Sequence, residues 1–261
     1  MIGAIIGDII GSVYEFDNCR STKFPLFSEQ SMFTDDTVMS VATAQKLLVC
    51  GSYATLYREY YRSYPHCSYG NSFRHWASTP GAPPYNSFGN GSAMRVSPVG
   101  YAFDTLEETL AEAKESAFVS HNHLEGIKGA QATAASIFLA RTGASKKEIK
   151  EYVADAFHYD LNRTLKTLQR SYQFNEICQE TVPESIFVFL VSDGFEDAIR
   201  KAVSIGGDTD TVACIVGGIA QAFYEKIPRS ILRETKTRLT LDLWAVTEKF
   251  CHRFCRSLDL S

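Results

Sequence analysis

Gly206-Gly207-Asp208-Thr209-Asp210-Thr211 runs straight into an apolar segment that ends near Tyr224, and Thr34-Asp35-Asp36-Thr37 leads in the same way into Val38, Met39 and Val41. Threonine and aspartate ahead of apolar positions at helical spacing read as helix N-termini, where side-chain oxygens cap free N–H groups and the helix dipole favours anions. A cap accounts for one residue. It leaves unexplained the adjacent Asp35 and Asp36, and the pair Asp208 and Asp210 flanking a threonine. Clustered carboxylates repel one another unless a cation joins them. Carboxylate and hydroxyl oxygens are hard ligands that suit Mg²⁺, Mn²⁺ or Ca²⁺ and not zinc. The glycine pair before Asp208 permits unusual backbone angles and close chain approach.

Most of the chain has helical spacing. Asp35 to Val49 carries apolar residues at Val38, Met39, Val41, Ala42 and Leu48 and meets a stop at Gly51. Segments 105–119, 122–141, 145–157, 194–203, 208–225 and 230–256 repeat the pattern. Thr105 with Glu108 has the form of a capping box. Strand-like alternation is nearly absent. The run Ile186–Val191 reads equally as a strand or a buried helix. The expectation is an all-α, multi-helix fold over a single domain spanning residues 1–261.

Two regions stand apart. Gly3, Gly7 and Gly11 recur at every fourth position, giving an N-terminal helix with a smooth face for tight packing. Asp8 follows one of these glycines, and Glu15 falls seven residues later on roughly the same face. A carboxylate there could orient or deprotonate a water; on its own, Glu15 reads as a solvated acid. Segment 64–92 holds Pro65, Pro80, Pro83 and Pro84 with four glycines, and predicts a long loop. Its aromatics Tyr69, Phe73, Trp76, Tyr85 and Phe88 either stack on a base or fasten the loop to the core.

Composition narrows the partners. Hydrophobic residues make up 45% of the chain and charged residues 21%, as in ordinary globular proteins. A formal charge of −4 without a basic stripe argues against a nucleic-acid backbone. Seven cysteines, without framework spacing, fit a reducing compartment. Cys251-His252 with Cys255, and His66-Cys67, lack the second ligand pair of a zinc finger. The N-terminal stretch has no positive n-region and is broken by Asp8, and no apolar run is long enough to span a membrane. A cytoplasmic monomer is expected.

Gly3–Phe16 (GAIIGDIIGSVYEF), Phe33–Thr37 (FTDDT), Gly89–Val96 (GNGSAMRV), Ser120-His121 and Gly206–Thr211 (GGDTDT) occur in the order seen in ADP-ribosylglycohydrolases, which this chain resembles over nearly its whole length. The resemblance implies an all-α fold with two Mg²⁺ (or Mn²⁺) ions in a cleft. Thr34, Asp35 and Asp36 would ligate from one side, and Asp208, Asp210 and Thr211 from the other. Glu15 would be the acid near the metals and, with Asp36, catalytic. Ser87, Phe88, Gly89, Asn90, Gly91 and Ser92 would form the ADP-ribose loop, with the aromatic by the adenosine, and His121 would contact the ligand.

The implied activity is hydrolysis of the glycosidic bond between ADP-ribose and an acceptor, with development of oxocarbenium-like charge at ribose and release of ADP-ribose. The partner would be an ADP-ribosylated protein, or a nucleic acid only if it carries that group. The compact segment between Phe16 and Phe33 lies where the family recognises acceptors. Arginine, serine, a nucleobase and O-acetyl-ADP-ribose therefore all stay open. Two alternatives share the ligands: a dinuclear-metal nucleotide phosphohydrolase, and a non-catalytic ADP-ribose-binding relative. Gln221, where the family has a small residue, reads as a packing variation.

Overall fold

A computed structural model describes residues 1–49 and 51–255. The chain is helical as expected: α1 (Ile2–Gly11), α2 (Asp35–Leu48), α3 (Tyr53–Ser63), α4 (Asn71–Ser78), α5 (Gly91–Met94), α6 (Val99–Ala102), α7 (Leu106–Phe118) and α8 (Leu124–Arg141) form the first part. Then follow α9 (Lys146–Phe157), α10 (Leu165–Ser171), α11 (Cys178–Leu190), α12 (Phe195–Ser204), α13 (Thr209–Tyr224), α14 (Arg229–Arg238) and α15 (Leu241–Phe254). No strand forms among the described residues; a lone antiparallel bridge joins Gly89 to Ile177. Local chemistry sets many starts: Thr34, Ser52, Thr105, Ser145 and Thr164 each accept a backbone N–H as N-caps, Ser145 with Glu148 as a complete capping box.

The centre of the molecule is α1 against α13. Every residue of α1 is buried, so it is a core helix and not an amphipathic one. The two helices run antiparallel with their backbones in contact. A Cβ on Gly3, Gly7 or Gly11 would lie 2.3, 1.9 or 2.4 Å from the carbonyl oxygens of Gly217, Ala213 and Thr209 in turn. Gly217 returns the contact, 2.1 Å from the Gly3 oxygen by the same measure. Gln221 has a definite task here: its side-chain oxygen accepts from the Gly3 N–H at 2.8 Å, capping a helix whose own N-cap residue supplies no side-chain bond.

Three expectations about elements change. The 64–92 segment is not loop throughout, because Phe73, Trp76 and Ala77 share one face of α4 and bury it in a cluster with Tyr57 and Tyr69. Proline and glycine on both flanks mask that short helix in the sequence. The span 230–256 is two helices, broken at Leu239 and Thr240, and residue 256 lies outside the described residues. The ambiguous run at 186–191 belongs, up to Leu190, to α11, a buried helix that also contains Pro183.

Candidate active site and metal centre

Packing of α1 on α13 fixes where the acids go. Gly11 lies against Thr209 and Asp210, and Gly7 against Ala213, so Asp8 on α1 faces the first turn of α13. The chain enters α13 through Gly206 and Gly207 at φ +69° and +77°, a left-handed region that glycine adopts without strain. A Cβ on Gly207 would also strike the Tyr172 ring at 2.5 Å. This turn delivers Asp208 as N-cap residue, yet its carboxylate makes no capping bond. Instead its Oδ2 accepts from Asn90 Nδ2 at 2.7 Å. Helix capping therefore does not explain Asp208.

Asp8 is held by four donors. Its Oδ2 accepts from the backbone N–H of Thr34 (3.0 Å) and Thr37 (3.1 Å) and from the Thr37 hydroxyl, while Oδ1 accepts from the Thr34 hydroxyl at 2.7 Å. This side chain therefore ties the N-terminus of α2 to α1. Asp36, on the first turn of α2, touches the hydroxyls of Thr34 and Thr211 through Oδ2 at 3.4 and 3.3 Å. The other oxygen, Asp36 Oδ1, is buried and has no hydrogen-bond partner. Buried polar atoms are rarely left so.

The acids converge in two overlapping triads. One oxygen from each of Asp8, Asp36 and Asp210 lies within 4.8 Å of the others, and the same holds for Glu15, Asp208 and Asp210. Asp210 belongs to both. Burial raises the Asp8 carboxyl to about 7, with Asp210 adding repulsion and the threonine donors opposing. Glu15 is pushed to about 8 by burial and then by Asp210, Asp35 and Glu176. Asp35 also reaches about 8, from burial and then Asp210 and Asp8. Asp36 and Asp208 rise well above the carboxylate range for the same reasons. Such crowding is costly without cations. The orphaned Asp36 oxygen and the all-oxygen donor set fit a divalent metal centre.

Of the triad acids, Glu15, Asp36, Asp208 and Asp210 line a cleft of about 580 Å³ whose walls also include Asn71, Phe73, Tyr85, Phe88, Gly89, Gly91, His121 and Glu176, while Asp8 is buried behind it. The residues singled out from sequence are distributed as follows. Glu15, Asp35, Asp36, Asp208, Asp210 and Thr211 face this cleft, together with Ser87, Phe88, Gly89, Asn90, Gly91 and His121. Asp35 lies on the wall but in neither triad. Thr34 is buried behind, on Asp8 and Asp36. Asn90 spends its side chain on Asp208 and Thr181. Ser92 is buried with its hydroxyl on the Gly126 carbonyl at 2.7 Å.

Among the loop aromatics, Tyr69, Phe73 and Trp76 are core residues, whereas Phe88 is 44% exposed and meets His123 edge-on. Burial, aided by Arg95, holds His121 well below the ordinary imidazole range, which favours the neutral ring. Asp8 is the residue to which sequence reasoning gave least weight. Its signal was present: an acid set directly after a packing glycine in an otherwise apolar helix. No helix among the described residues is long and apolar enough to cross a membrane.

The chain is similar to known proteins in sequence and in fold. ADP-ribosylhydrolase ARH3 of Bos taurus is 26% identical, over 88% of this chain and 86% of that protein. ADP-ribosylarginine hydrolase Tri1 of Pseudomonas putida (strain GB-1) is also 26% identical, over 86% of this chain and 69% of that protein. A solved structure described as an "ADP-ribosylglycohydrolase-related protein complex" shares the fold, with a TM-score of 0.71, 24% identity and coverage of 94% of this chain and 93% of that one. The family model of ADP-ribosylglycohydrolases matches residues 1–258, and the chain belongs to that family.

Proposed function

We propose that this protein is a divalent-metal-dependent hydrolase that cleaves the glycosidic bond between ADP-ribose and an acceptor and releases free ADP-ribose. The observation that carries the reading is the pair of carboxylate triads sharing Asp210, four of whose acids line one cleft together with the Phe88–Gly91 loop. Asp36, Asp208 and Asp210, with Asp8, Asp35 and the hydroxyls of Thr34 and Thr211 around them, would hold two Mg²⁺ or Mn²⁺ ions. Bound there, the cations would neutralise the acid cluster and polarise ribose hydroxyls and water.

The chain's own groups do the rest. Glu15, half-buried on the cleft wall and within 4.8 Å of Asp208 and Asp210, is returned to its carboxylate form once cations offset the acid cluster, and takes the proton of the attacking water. Asp36 and its neighbours stabilise the positive charge that develops at the ribosyl carbon. Phe88 offers a face to the adenine ring, and Gly89 and Gly91 let the diphosphate approach the backbone without meeting a Cβ. Asn90 fixes Asp208, so this loop and the metal centre are coupled by one hydrogen bond.

The acceptor decides the biology, and ADP-ribosylated arginine and serine side chains are the two linkages of first interest. Arginine-, serine- and nucleic-acid-linked ADP-ribosyl substrates should be offered in parallel, with products separated by chromatography. Free ADP-ribose from at least one linkage supports the reading. AMP or phosphate in its place would make the protein a phosphohydrolase. Tight ADP-ribose binding with no turnover of any linkage would make it a binding protein.

A further inference from the structure

His121 is buried on all sides but the cleft, with its ring against the edge of Tyr85. Its Nδ1 lies 2.8 Å from Ser120 Oγ, which in turn lies 2.9 Å from Arg95 Nη2. A guanidinium only donates, so the serine oxygen accepts from Arg95. Of the two side-chain partners of Oγ among the described residues only His121 Nδ1 can accept, so it is the acceptor available to the Ser120 hydroxyl proton. A neutral imidazole that accepts at Nδ1 carries its own hydrogen on Nε2.

That second nitrogen points across the glycine loop. A Cβ on Gly91 would lie 3.0 Å from Nε2, and one on Gly89 would lie 3.6 Å away. Nε2 makes no hydrogen bond to protein among the described residues. Behind the pair, Arg95 is 1% exposed and has no carboxylate partner among the described residues. Nη2 also donates to the Ser116 carbonyl at 2.8 Å, the guanidinium rests on the Tyr57 ring at 4.4 Å, and Nε has no partner. A buried positive charge without a counter-ion favours an anion in the adjoining cleft.

We infer that Arg95 and Ser120 are positioning residues that lock His121 in its Nε2–H form and so present one neutral donor, backed by a buried cation, to a diphosphate oxygen lying over Gly89-Asn90-Gly91. The inference rests on the proposed function for the identity of the anion, and not for the tautomer. It also gives the glycine at position 91 a reason: any side chain there would cover the donor.

The test joins a spectrum to a titration, on full-length protein in Mg²⁺ buffer. Long-range ¹H–¹⁵N correlation on ¹⁵N-histidine protein, with the His121 signals assigned by their loss in His121→Gln, should show hydrogen on Nε2 and a bare Nδ1. Ser120→Ala should lose that tautomer preference and bind ADP-ribose about tenfold more weakly, as expected for one hydrogen bond to a charged group. Adenosine, which has no phosphate, should bind wild type and Ser120→Ala alike. Ser120→Thr, which keeps the hydroxyl, should restore both the spectrum and the affinity. Hydrogen on Nδ1 in the wild type overturns the inference, as does a Ser120→Ala protein with unchanged tautomer and unchanged affinity. Should wild type show the Nε2–H form and yet fail to bind ADP-ribose, the proposed function fails while the tautomer lock stands.

Discussion

Gly7 on α1 lies so close to Ala213 on α13 that a Cβ at position 7 would sit 1.9 Å from the Ala213 carbonyl oxygen. Asp8 follows directly, so the same contact that joins the two helices sets Asp8 beside Asp210. The packing of the core and the assembly of the acid cluster are one structural event. Overpacked core positions cost about 1–3 kcal/mol, sometimes more, and here the obstacle is backbone that cannot swing away. Gly7→Ala is expected to lose more than about 3 kcal/mol in urea unfolding. Gly51→Ala, exposed and with no neighbour nearer than 3.9 Å, should stay within about 0.5 kcal/mol.

Asp210 belongs to both triads, and its charge raises the carboxyls of Asp8, Glu15, Asp35 and Asp36. Asp210→Asn is therefore expected to act in opposite directions on two readouts. Hydrolysis should fall by more than about 100-fold. The melting temperature of the metal-free protein near pH 8 should hold or rise, because a like charge has been removed from a crowded site. Scanning calorimetry with EDTA and an ADP-ribose release assay check the pair; a fall in metal-free stability would contradict the electrostatic reading.

The all-helical fold and the acids that meet in the cleft were legible in the sequence, whereas the way the helices pack was not. Asp35, Asp36, Asp208 and Asp210 were legible because no single cap could explain them, and Gly3, Gly7 and Gly11 because their spacing is helical. What the spacing could not give was the partner helix, since contact with Gly217 and Ala213 is a tertiary fact. The short helix α4 was hidden by flanking prolines and glycines, although Phe73, Trp76 and Ala77 already had helical spacing. Asn90 looked like a ligand-loop residue, and only the fold shows its amide on Asp208. Ser120 and His121 are neighbours in the sequence, but Arg95 lies 25 residues before Ser120, and only the fold shows its guanidinium on the serine.

Phe88 is exposed at the cleft, whereas Tyr69 is buried with an unpaired hydroxyl. Stacking of one base on one aromatic is worth about 1–3 kcal/mol. Phe88→Ala should weaken ADP-ribose binding about 10- to 100-fold by calorimetric titration, and Tyr69→Phe should leave it unchanged. Equal affinities in wild type and Phe88→Ala would remove Phe88 from the adenosine subsite.

Glu184 on α11 gives a pH dependence away from the metal centre. Burial raises it to about 7 from an ordinary 4.5, against the pull of Arg163, which donates to its Oε1; Oε2 has no partner. A raised folded-state value favours the protonated form, so its contribution is full below about pH 4.5 and is lost as pH rises through about 7. Glu184→Gln carries no such titration. Between pH 4.5 and 8 the wild type should lose roughly 2–4 kcal/mol relative to that variant in denaturant unfolding. Parallel stability curves would show that Glu184 is not so perturbed.

On the proposed function, the acids gathered by α1, α2 and α13 hold the cations on which hydrolysis depends. Metal-free protein titrated with Mn²⁺, with bound ion followed by electron paramagnetic resonance and ADP-ribose release measured in the same sample, decides this. The expected result is two ions per chain, with release absent before metal and appearing as the sites fill; Asp36→Asn and Asp210→Asn should bind fewer ions and release nothing. Full release from protein shown to be metal-free, or wild-type ion binding in both variants, would contradict it.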